Sequence, residues 1–118
     1  MSNPAIPKKW LPLVAVADVP PGKGTLVRHG RTDYLIFHLD PERAAEAGTE
    51  WTAFDNTCPH AGAPIYAEHF DGECVTCTYH GLRFSARDGS CPDARGWGLD
   101  RYPVKVEGDQ VLVGLPDL

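Results

Sequence analysis

The apolar runs of this chain are short, and turn-forming residues bound nearly all of them. "WLPLVAV" (10–16), "TLVRH" (25–29), "YLIFHL" (34–39), "WTAFD" (51–55), "ECVTC" (73–77), "LRFSA" (82–86), "YPVKV" (102–106) and "QVLVGL" (110–115) all have strand length. Between them stand "DVPPGKG", "GRTD" and "EGD", drawn from a stock of 12 Gly and 11 Pro. One segment reads otherwise. "DPERAAEAG" (40–48) has Asp40 to cap a helix, Pro41 at its first position and Gly48 past its end. Seven or so short strands with one minor helix predict an all-β sandwich or small barrel.

At 118 residues the chain fits one domain, 1–118, with no composition break, repeat or linker. A domain of this size buries a workable core without staples, so its four cysteines need not be bridges. The net charge of −5 comes from interspersed signs with no basic stripe. That argues against nucleic acid and suits an acidic solvated surface, or docking to a basic partner. Pro7 and Pro12 interrupt the N-terminal stretch, and no run approaches the length that crosses a membrane. The expectation is a soluble, cytoplasmic protein with no membrane partner. In a reducing compartment its cysteines point to metal binding or catalysis.

Two loops carry the chemistry. "NTCPHAGAP" (56–64) places Cys58 and His60 one residue apart, and "CTYHG" (77–81) places Cys77 and His80 three apart. The pattern is C-x-H, 16 residues (61–76), then C-x-x-H, with Gly62 and Gly81 close behind. Two Cys and two His have two chemical readings. Structural zinc accepts four tetrahedral N and S ligands. A Rieske-type 2Fe–2S cluster takes two Cys on one iron and two His on the other. Zinc fingers usually draw the cysteines from one segment and the histidines from another. Here each loop gives one of each, which favours the cluster.

On these motifs the chain resembles the Rieske-type ferredoxins, from about Trp10 to Leu115. The resemblance implies a Rieske fold: stacked antiparallel sheets with a small cluster-binding subdomain at about 56–84. It implies that Cys58 and Cys77 hold the inner iron, and His60 and His80 the outer, more exposed one. Two ferric ions, two sulfides and two thiolates sum to zero charge, whereas a four-cysteine cluster would be dianionic. Histidine ligation therefore raises the potential. The chain departs from the quinol-oxidising branch of the family. Ala63 and Tyr79 stand where that branch has two loop-bridging cysteines, and Leu82 and Phe84 where it has a serine and a tyrosine that bond to sulfur.

Outside the motif, Cys74 reads as a small buried hydrophobe on a strand and Cys91 as a free thiol in a loop. His29, His38 and His69 lack partners at ligand spacing and suit turn or surface roles. Trp51 reads as core, and Trp97 lies where relatives carry a loop over the cluster. Ring-hydroxylating oxygenases also begin with a Rieske domain but add a mononuclear-iron domain, for which too few residues follow His80. The expected function is one-electron transfer, not catalysis, from a flavin-dependent reductase to a terminal Rieske oxygenase. The small subunit of an assimilatory nitrite reductase and a zinc-stabilised interaction module are the alternatives.

Overall fold

A computed structural model describes residues 9–29, 32–56, 70–77, 82–92, 98–99 and 101–115. Nine strands and one α-helix occur among them, with a single 3-10 turn at Val16–Asp18, in the order β1 (Lys9–Ala15), β2 (Lys23–His29), β3 (Thr32–His38), α1 (Pro41–Ala47), β4 (Trp51–Asp55), β5 (Cys74–Thr76), β6 (Arg83–Ser85), β7 (Arg101–Tyr102), β8 (Val104–Glu107) and β9 (Gln110–Leu115). They form a three-stranded sheet β1-β9-β8, a four-stranded sheet β2-β3-β4-β7 and the hairpin β5-β6, with every pair antiparallel. The all-β expectation with stacked antiparallel sheets holds.

The side-chain alternation of β3 explains the layering. Leu35 and Phe37 enter one apolar cluster with Phe54, Val75, Phe84 and Leu99, while Tyr34 and Ile36 enter a second with Val111, Val113 and Trp51. All four β3 residues are at most 1% exposed, so this strand is covered on both faces. The four-stranded sheet is thus the middle layer. The three-stranded sheet covers one face, and the hairpin with α1 covers the other. Each fully buried Phe or Leu stabilises such an arrangement by about 1.5–3 kcal/mol.

The helix forms as its termini predict. The Asp40 carboxylate accepts from the Arg43 N–H at 2.9 Å, Pro41 opens the first turn, and Gly48 ends it at φ +78°. Ala44 and Ala47 face the core against the hairpin's cluster.

The run 102–106, expected as one strand, is divided. Pro103 has no N–H to give to a ladder. Tyr102 pairs with Ala53 in the middle sheet, whereas Val104 pairs with Val113 in the outer one. The Pro103 carbonyl accepts from the Gly114 N–H at 2.8 Å, which carries the chain from one sheet to the other.

Candidate iron–sulfur site

The second ligand loop leaves a closed hairpin. Its register is Cys74 with Ser85, Val75 with Phe84 and Thr76 with Arg83. At the near end the Cys77 N–H donates to the Leu82 carbonyl at 2.8 Å. At the far end Asp71 organises the chain before the first strand, its carboxylate accepting from the Cys74 N–H at 2.8 Å and the Glu73 N–H at 2.9 Å. These two bonds, that from Cys74 foremost, hold the Asp71 carboxyl below its ordinary range. The Asp71-Gly72 pair is a turn signal visible in the sequence.

The first loop follows β4. Asn56, buried at its end, donates its N–H to the Asp33 carbonyl at 3.0 Å. Beside it the Tyr102 hydroxyl lies 3.4 Å from the Asp55 carboxylate. The strand that delivers Cys58 is therefore anchored on the middle sheet.

Of the four expected ligands, Cys77 is described; Cys58, His60 and His80 lie outside the described residues, as do Ala63, Tyr79, Trp97 and His69. Cys77 is fully buried and packs in one cluster with Val75, Phe84 and the partly covered Leu82. A thiolate in an apolar wall fits a site whose oxidised cluster carries no net charge. Two thiolates and two imidazoles are also the donor set that a histidine-ligated 2Fe–2S cluster requires. Among the described residues no group of three or more His, Cys, Asp or Glu forms a competing metal site.

One expectation about the spare cysteines is reversed, that for Cys74, while Cys91 is a free thiol in a loop as expected. Cys74 is half-buried, because its strand position opposite Ser85 turns it toward the polar hollow formed with Arg83, Arg87 and Ser90. Burial, then the nearby Asp71 and Glu73 carboxylates, push its thiol pKa up. Cys91 is the buried one, at 7% exposure, packed in the core with Leu99 and Phe54. Trp51 is core, as expected, at 5% exposure. His38 is more than a surface residue. It stacks on Trp51 at 4.0 Å, and its Nδ1 lies 2.7 Å from the Val19 carbonyl. His29 is half-buried at the end of β2.

The model of the Rieske [2Fe-2S] domain matches residues 9–103. The chain belongs to the Rieske [2Fe–2S] family, and with it goes a binding site for one such cluster. It is 33% identical to the ferredoxin component of biphenyl 2,3-dioxygenase from Rhodococcus jostii, over 70% of this chain and 80% of that one. It is 27% identical to the ferredoxin component of the naphthalene 1,2-dioxygenase system of Pseudomonas aeruginosa, over 92% of this chain and 97% of that one. The ferredoxin of Sphingomonas yanoikuyae B1 superposes with a TM-score of 0.70 at 25% identity, covering 92% of this chain and all (100%) of that one. The chain spans only 18–20% of the length of three longer curated relatives, including the cholesterol 7-desaturase of Hemicentrotus pulcherrimus.

Proposed function

We propose that this chain is a one-electron carrier, a single Rieske domain of residues 1–118 that serves a multicomponent oxygenase. The carrying observation is its alignment over 97% of one oxygenase ferredoxin component and 80% of another. The proposed ligands are Cys58 and Cys77 on one iron and His60 and His80 on the other, within a subdomain at about 56–84. When bound, the cluster supplies a one-electron couple whose added charge rests nearer the imidazoles.

The chain's own residues hold and shield that couple. Cys77 supplies a thiolate from the neck of the hairpin, and Leu82 and Phe84 present apolar surface there. Neither side chain can donate a hydrogen bond to sulfur, so the carrier belongs at the low-potential end. A flavin-dependent reductase is the proposed donor and a terminal Rieske oxygenase the proposed acceptor. The proposed compartment is the cytoplasm, which suits the free thiols of Cys74 and Cys91. No helix among the described residues is long and apolar enough to cross a membrane.

Paramagnetic resonance tests the reading. The reduced protein should give a rhombic signal of low average g, and His60→Ala or His80→Ala should each abolish it. A colourless, zinc-containing protein would defeat the proposal. An unchanged signal in either variant would remove that residue from the ligand set.

A further inference from the structure

Among the described residues the hairpin β5-β6 is a sheet of its own, with no strand ladder to the middle sheet. Thr52, on the central strand β4, bridges the two. Its side chain is fully buried, and its hydroxyl donates to the Ala86 carbonyl at 2.6 Å. Ala86, equally buried, follows β6 directly and donates its own N–H to the Glu73 carbonyl at 3.0 Å. One residue, Ala86, thus closes the far end of the hairpin through its N–H and receives the bond from the sheet at its carbonyl.

We infer that Thr52 is a positioning residue that fixes the spacing between the two ligand half-sites. The inference rests on the proposed function. β4 carries Thr52 and leads through Asn56, on in sequence, to Cys58 and His60. The hairpin carries Cys77 at its neck, and His80 lies in the segment that rejoins it at Leu82. A four-ligand site built from two loops needs both held at a set separation. Two ion pairs also tie the hairpin region to α1, Arg43 with Glu73 at 3.5 Å and Arg87 with Glu46 at 3.0 Å. Their side chains are 31–57% exposed, where such pairs add little. The buried hydroxyl outweighs them. Removing it strands the Ala86 carbonyl away from water, and the hairpin must shift or open to satisfy it.

Thr52→Val keeps shape and removes the donor, whereas Thr52→Ser keeps the donor and removes a methyl. In the holoprotein, cluster loss to an iron chelator should run about tenfold faster in Thr52→Val, the scale of one buried hydrogen bond. Far-ultraviolet circular dichroism should be unchanged. Thr52→Ser should stay within about twofold of wild type, because the bond survives. Hydrogen exchange at the Cys77 and Ala86 amides should rise in Thr52→Val alone. Wild-type cluster retention in Thr52→Val, or equal loss in both variants, would overturn the inference. If Thr52→Val does not fold, Thr52→Cys, a weak donor of similar size, takes its place under the same criteria. Wild-type protein that holds no 2Fe–2S cluster would defeat the proposed function, and amide exchange would then decide the inference alone.

Discussion

The N–H of Cys77 donates to the carbonyl of Leu82 at 2.8 Å, so the hairpin is pinned shut where it meets the second ligand loop. The proposed ligand Cys77 and the apolar Leu82 are thereby tied backbone to backbone.

Phe84 is fully buried two residues beyond Leu82 and faces Val75 across the hairpin. Hydrogen bonds to cluster or ligand sulfur favour the more negative, reduced state and raise the potential. With Leu82 and Phe84 in place, voltammetry should find the wild type near the low end of the family range, about −150 mV. Phe84→Tyr should raise that value by offering one donor. A wild-type potential near +300 mV, the top of the range, would contradict the reading.

Asp71 sets the acid limit of the hairpin. Its carboxylate accepts the Cys74 and Glu73 N–H groups, which lowers its pKa in the folded state. A depressed pKa contributes stability that is complete above the unfolded value, about 3.9 for Asp, and drains as pH falls through the folded one. Asp71→Ala should cost about 1 kcal/mol at neutral pH, as for the loss of a capping side chain. Asp71→Asn keeps an acceptor oxygen, should cost less, and should flatten the stability profile below about pH 4. Thermal melts of the three proteins across acid pH measure this; parallel profiles would refute it.

Gly89 and Gly48 both have positive φ, +81° and +78°, but differ in surroundings. A Cβ on Gly89 would lie 2.8 Å from the Leu99 carbonyl and 2.9 Å from Phe54, whereas one on Gly48 meets nothing within 4 Å. Gly48→Ala should therefore cost about 1 kcal/mol from backbone conformation alone. Gly89→Ala adds overpacking and should cost about 2–4 kcal/mol. Denaturant midpoints of the pair decide it, and equal losses would mean the core yields at Leu99.

The cysteines should differ in reactivity. The Cys74 thiol is half-buried with a raised pKa, and Cys91 lies in the core. Iodoacetamide at mildly alkaline pH should modify Cys74 more slowly than an unfolded cysteine, and Cys91 more slowly still. Peptide mapping of native against urea-unfolded protein reads the order. A Cys74 faster than its unfolded counterpart would refute the assigned environment.

The sequence by itself determined what depends on neighbours along the chain. Strand-length runs, Asp40 and Gly48 around α1, and the spacing of Cys58, His60, Cys77 and His80 were legible because caps, alternation and ligand motifs are local patterns. Only the tertiary structure decided which strands meet and which side chains end inside. β1 lies beside β9 from the other end of the chain, and Pro103 divides one apparent strand between two sheets. Cys91 reads as loop yet is buried, because the segment from Gly89 presses onto Phe54 and Leu99. Cys74 reads as core yet stands half-buried beside a polar hollow lined with Arg83, Arg87 and Ser90. Thr52 gave no signal in the sequence, since its worth lies in a bond to Ala86, 34 residues away. Burial and long-range hydrogen bonds belong to the packing of distant segments, and no local periodicity encodes them.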